Sequence, residues 1–211
     1  GGITRFLVIY YCQNADFVCS GSLLAEEFKQ LVKAYGQSTI TKPRSTGVDE
    51  FYEIFNELVS RKKIGKRYSA PILAAADRCI KRIFINSLKC ECELYTLSPS
   101  DAAILASNLD IQKLFPDEEK PKLKLLSITS NKAAVVLWIS IGELNILLGS
   151  DLEESGDCQM GWSVIVGSSS RPRGKASIFK IPHHGSKNAH HPGIWQDLVV
   201  DKPIAVLTPY N

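Results

Sequence analysis

Residues 175–187 read Lys175-Ala176-Ser177-Ile178-Phe179-Lys180-Ile181-Pro182-His183-His184-Gly185-Ser186-Lys187. Ala176, Ile178 and Lys180 alternate with Ser177, Phe179 and Ile181, a period of two that predicts a short, largely buried strand. Pro182 cannot donate to a sheet ladder and so ends the strand. His183 and His184 then fall on the loop just past its carboxyl end, where Gly185 lets the backbone turn away sharply. Ligands in layered α/β folds bind at such loops. An arbitrary His-His pair is more often two surface residues in a turn. In this chain the four histidines are His183, His184, His190 and His191, all in one region, and that clustering favours a functional loop.

Upstream, two runs at strand spacing, 133–141 and 144–148, are joined by Gly142-Glu143 and form a hairpin signal. The second run delivers Gly149-Ser150-Asp151 at its carboxyl end. A carboxylate and an imidazole, each just beyond a strand, converge on a cation if the two strands are neighbours. The hard oxygen of Asp and the borderline nitrogen of His suit zinc or manganese better than calcium. The plain alternative for Asp151 is a helix N-cap or turn residue. Asp151, His183 and His184 make only half of a catalytic metal site, and no histidine lies upstream of His183. The nearby acids Glu153, Glu154 and Asp157 read more easily as a solvated turn.

The remainder of the chain predicts helices first and strands later. Residues 6–11 are an apolar run suited to either. Ser22 caps a predicted helix with a stripe of Leu24, Phe28, Leu31, Val32 and Tyr35, stopped by Gly36. Residues 37–47 read as a loop. A second helix carries Phe51, Ile54, Phe55 and Leu58, and a third, after Ser69-Ala70-Pro71, carries Ile72, Ala75, Ala76, Cys79 and Ile83. Residues 93–97 predict a strand, and Ser98-Pro99-Ser100-Asp101 a turn capping a helix through Leu109. Residues 117–124 are a charged connection. Trp162, Val164, Ile165 and Val166 suggest a short buried helix, 193–200 another, and 204–207 a last strand. Helices in a block followed by strands with helices between them predict an α/β architecture.

Composition sets outer bounds. With 211 residues, 45% hydrophobic and 22% charged, the chain can build one good core or one large α/β domain. A formal net charge of +3 does not by itself argue nucleic-acid binding. Arg61-Lys62-Lys63 with Lys66-Arg67, and Arg171 with Arg173 and Lys175, are local clusters able to contact phosphates, although a solvated helix end or loop explains each as well. No apolar run approaches the roughly 18 residues a membrane span needs, and the amino end has no signal-peptide layout. Six cysteines without a Cys-x-x-Cys pair predict reduced, mostly buried thiols of a cytoplasmic protein.

Residues 131–151 together with Lys180-Ile181-Pro182-His183-His184-Gly185-Ser186 resemble the carboxyl half of a metallo-β-lactamase-fold hydrolase. The likeness is to the soluble hydrolase domain of ComEC-type DNA-uptake proteins and their stand-alone bacterial relatives, and it covers roughly residues 95–211. Leu97-Ser98-Pro99 matches a segment those proteins commonly have. The resemblance implies a partial metallo-β-lactamase-like αββα sandwich: a single incomplete domain over 1–211, helical over about 20–90, with the site on the strand-rich half 93–211. Asp151 would bridge two divalent ions, and one of His183 and His184 would ligate the second ion while the other contacts substrate or a ligand. The ions would hold and acidify a water, bringing its pKa toward about 7 for attack on phosphorus or carbonyl carbon. Ser186 and Lys187 would contact a phosphate.

Most ligands of that superfamily sit in a His-x-His-x-Asp-His motif, which does not occur here. Gly1-Gly2 reads either as a tag remnant or as the Gly-Gly pair that often follows that motif, which would put the first ligand cluster just upstream of residue 1. Relatives place Gly directly before the Asp, whereas Gly149-Ser150 precede Asp151. The implied activity is phosphodiester hydrolysis of nucleic acid. Ester or lactone hydrolysis on the same fold, or a metal-free scaffold or binding role, are the alternatives.

Overall fold

A computed structural model describes residues 15–24, 29–30, 47–64, 70–113 and 131–209. The sheet is built around the strand that the 175–187 stretch predicts. β1 (Val18–Ser20) and β2 (Ile72–Ala74) pair in parallel as a small separate sheet. β3 (Arg78–Ile85), β4 (Cys90–Thr96), β5 (Leu137–Ile141), β6 (Leu144–Leu148), β7 (Ala176–Lys180) and β8 (Val199–Val206) form one six-stranded sheet in sequence order. β3 to β6 run as an antiparallel meander, then β6, β7 and β8 are parallel. The described helices of more than one turn are α1 (Gly47–Lys63), α2 (Asp101–Gln112) and α3 (Gly161–Gly167). The chain is therefore mixed α/β with a mixed sheet, as the element pattern predicts.

Register explains the core. Tyr95, Trp138, Leu147, Phe179 and Ala205 are successive cross-strand partners, so their side chains share one face. Trp138, Leu147 and Phe179 are fully buried there, beneath Trp162 and Ile165 of α3 and Ile194 and Leu198 of the π-helical turn Ile194–Leu198. Each such side chain contributes about 1.5–3 kcal/mol of burial. The opposite face carries a second row, Leu94, Ile139, Ile146, Ile178 and Ile204. This row is half-buried, opening to 65% exposure at Ile204. Two apolar faces are what the uninterrupted apolar runs of β6 and β7 require.

The predicted helix over 72–83 is corrected. Those residues form β2 and β3, separated by a turn in which Asp77 has φ 54, a conformation no helix continues through. The apolar spacing of Ile72, Ala75, Ala76, Cys79 and Ile83 fits a helix, but β-branched Ile83 and Ile85 find partners along β4 instead, with the register shifting at Ile80. The helical segment predicted for about 20–90 thus ends, within the described residues, at α1, where Ile54 and Leu58 are buried. Of the predicted helix after Ser22, the turn Gly21–Leu24 and residues 29–30 are helical; the rest lies outside the described residues, as do 6–11 and 117–124. Ser100 caps α2 as predicted, its Oγ accepting from Ala103 N at 3.2 Å. Residues 131–133 form a 3₁₀ turn and not the start of β5, and β8 begins at Val199, well before residue 204.

The cysteines are reduced but not mostly buried among the described residues. Cys19 is buried and its thiol is pushed up to about 12 by desolvation, whereas Cys79 and Cys158 are exposed and Cys90 and Cys92 half-buried. Arg61 is likewise no phosphate contact. It is 3% exposed, with Nε donating to Glu57 Oε1 at 3.1 Å and Nη1 to the Ala15 carbonyl at 3.0 Å.

Candidate functional site

β6 and β7 are parallel neighbours with Leu148 opposite Lys180, so the loops at their carboxyl ends emerge side by side. Backbone bonds fasten them together. Gly149 N donates to the Lys180 carbonyl at 3.0 Å, and His183 N donates to the Ser150 carbonyl at 2.9 Å. Asp151 and the His183-His184 pair therefore leave the same end of the sheet on loops that touch. Gly149 makes this approach possible, because a Cβ there would stand 2.8 Å from the Lys180 carbonyl oxygen and 2.9 Å from Pro182 Cβ.

The loops are also strained. Among the described residues the non-glycine positions with positive φ are Asp77, Lys89, Ser150, His183 and His184. Three of these five belong to this site, and strain of that kind collects where a constellation has to be held in place. Ser150 stands at φ 50, in the left-handed region that favours glycine. Ser150→Gly is expected to stabilise the chain by about 0.5–1 kcal/mol, since relief of the left-handed conformation outweighs glycine's extra chain entropy. A urea-unfolding midpoint reads this, and a lower midpoint would contradict the assignment of strain.

His184 is oriented through Nδ1. His184 Nδ1 lies 2.7 Å from the Thr208 carbonyl oxygen, a partner that can only accept, so Nδ1–H donates to it. His183 Nδ1 lies 3.1 Å from Glu153 Oε1 at an angle outside hydrogen-bonding geometry, and it is otherwise without a partner among the described residues. Glu153 is itself held by Asn131, whose Nδ2 donates to Oε1 at 2.9 Å. A carboxylate or carbonyl behind an imidazole is the arrangement that orients metal-ligating histidines.

Reading Glu153 and Glu154 as a solvated turn is therefore corrected. Glu154 accepts from Ser163 N and Ser163 Oγ, both at 2.9 Å, and its own N donates to the Asn188 carbonyl at 2.6 Å. These bonds pin residues 152–157 between the start of α3 and the 3₁₀ turn Lys187–Ala189. The available signal for Glu153 was a carboxylate two residues past Asp151 on the same loop. Asp157, by contrast, is exposed and caps its own turn through Gln159 N.

Ser186 and Lys187 are exposed beside the histidine loop, and Gly185 turns it at φ 76 as predicted. His191 serves the backbone, its Nδ1 accepting from Gly193 N at 3.0 Å, and His190 is exposed. The donor types of Asp151, His183 and His184 suit a divalent cation. Among the described residues, no group of three or more His, Cys, Asp or Glu side chains is placed to hold a metal ion. Comparison with protein-family models, with curated proteins and with solved structures gave no match. No helix among the described residues is long and apolar enough to cross a membrane.

Proposed function

We propose that this chain is the site-bearing half of a metal-dependent hydrolase of metallo-β-lactamase type, dinuclear and acting on the phosphodiester bonds of nucleic acid. The observation that carries the reading is the lateral contact of the β6 and β7 loops, with His183 N bonded to the Ser150 carbonyl directly before Asp151. Support for the sandwich comes from the second apolar row, Leu94 to Ile204, a face suited to covering by a further layer.

Asp151 and one or both histidines hold two zinc or manganese ions, with the remaining ligands supplied from outside the described residues. When bound, those ions supply an activated water for hydrolysis. The Thr208 carbonyl holds the His184 ring through Nδ1, and the Glu153 carboxylate stands 3.1 Å from His183 Nδ1. Ser186 and Lys187, exposed on the same loop, bind and orient the phosphate. A scaffold role without metal is the second reading, favoured by the want of a three-donor group among the described residues. Incubating the intact protein, loaded with zinc or manganese, with single-stranded DNA and with an acyl ester tests the proposal. Cleavage of DNA at a rate orders of magnitude above the ester is expected; the reverse preference would move the assignment to ester chemistry, and no turnover of either favours the scaffold.

A further inference from the structure

The loop between α3 and β7 lies at the amino end of β7, the end of the strand opposite the histidines. Because β7 and β8 are parallel, with Ala176 opposite Val199, this loop faces the π-helical turn that precedes β8. Between them is an open cavity of about 420 Å³ lined by Ser168, Arg171, Arg173, Gly174, Lys175 and Asp197 among others. Three cations thus meet one carboxylate.

The cations are unspent. None of Arg171, Arg173 and Lys175 forms an ion pair with a described acid. Arg171 is half-buried, and its Nε is shielded from solvent with no acceptor among the described residues. Its one hydrogen bond there is a long 3.5 Å contact from Nη1 to the Pro172 carbonyl. Lys175 Nζ is held by the Gln196 carbonyl at 2.6 Å, which keeps its charge at the rim.

The geometry points to a phosphate-binding site in this cavity, taking a multiply charged phosphate anion either free or in a nucleic-acid backbone. Arg171, Arg173 and Lys175 line the cavity and together match the charge of such an anion, and arginine's planar N–H donors suit phosphate oxygens. A single carboxylate ligand would use one of the three cations and leave the others repelling. Asp197 opposes any anion and limits the affinity. The site is independent of the metal reading, since it shares no residue with the β6 and β7 loop ends.

Two probes test it in the intact protein with EDTA present and salt of about 50 mM, so that metal-held binding does not contribute. Pyrophosphate is titrated calorimetrically, and a fluorescent oligothymidylate of about twelve nucleotides is followed by anisotropy. Pyrophosphate is expected to bind, Arg171→Gln to weaken it at least tenfold and Arg173→Gln severalfold. Asp197→Asn is expected to strengthen it severalfold, while Lys89→Gln, on the exposed β3–β4 turn, leaves it unchanged. Oligonucleotide displaced by pyrophosphate identifies a nucleic-acid backbone as a ligand; pyrophosphate binding without it identifies a small phosphate, and either supports the site. If circular dichroism shows that Arg171→Gln has not folded, the exposed Arg173 and Asp197 variants decide. Absence of pyrophosphate binding, or binding equally affected by Lys89→Gln and Arg173→Gln, overturns it.

Discussion

Asp151→Ala is expected to cost the intact protein at least one bound metal ion and to lower DNA hydrolysis about a thousandfold. The size follows from the role proposed for Asp151. A bridging carboxylate fixes two cations, and losing their share of transition-state charge stabilisation costs several kcal/mol, each 1.36 kcal/mol being tenfold in rate. Stability should change little, because Asp151 is exposed and its loop is fastened by the backbone of Ser150 and not by the carboxylate. Glu143→Ala is the matched control, an exposed acid at the other end of β6. Metal content read by plasma mass spectrometry, beside rate and melting temperature, separates the outcomes. Unchanged metal with unchanged rate would remove Asp151 from the site.

A different kind of damage is expected from Gly149→Val. Here the target is the approach of two loops, with no change to a donor group. Even the Cβ would stand within 3.0 Å of the Lys180 carbonyl oxygen and Pro182, where the obstructing atoms are backbone and a ring locked to it. The β6 and β7 loop ends must then move apart, breaking the bond from Gly149 N to the Lys180 carbonyl. Overpacking of this sort costs about 3 kcal/mol, which in a chain of this size lowers the melting point by roughly 6–12 °C. Metal content should fall along with it although every donor remains. A melting point within a degree of the parent would show that the loops do not touch at Gly149.

The strands that carry the site were legible because their signals are local. Ala176 to Lys180 alternates and then meets Pro182, and Leu144 to Leu148 follows a Gly-Glu turn; both are strands, and their neighbouring ends follow from a parallel pairing that the sequence leaves open. The β2 and β3 region was not legible. Its apolar residues recur at helical spacing, and only the pairing of β2 with β1 and of β3 with β4, distant information for any local reading, makes them strands. Glu153 and Glu154 were passed over for a related reason. A run of acids beside Ser155 and Gly156 looks like a solvated turn until Ser163, Asn188 and His183 are brought to it by the fold. The strain at Ser150, His183 and His184 has no signature in residue type, since none of the three is glycine.

The most direct measurement is anomalous scattering at the zinc or manganese edge from crystals of the metal-loaded intact protein. An anomalous peak within about 2.0–2.3 Å of an Asp151 carboxylate oxygen and of Nε2 of His183 or His184 is the predicted result. Anomalous density elsewhere, or Asp151 and both imidazoles sharing no ion in metal-saturated crystals, would contradict it.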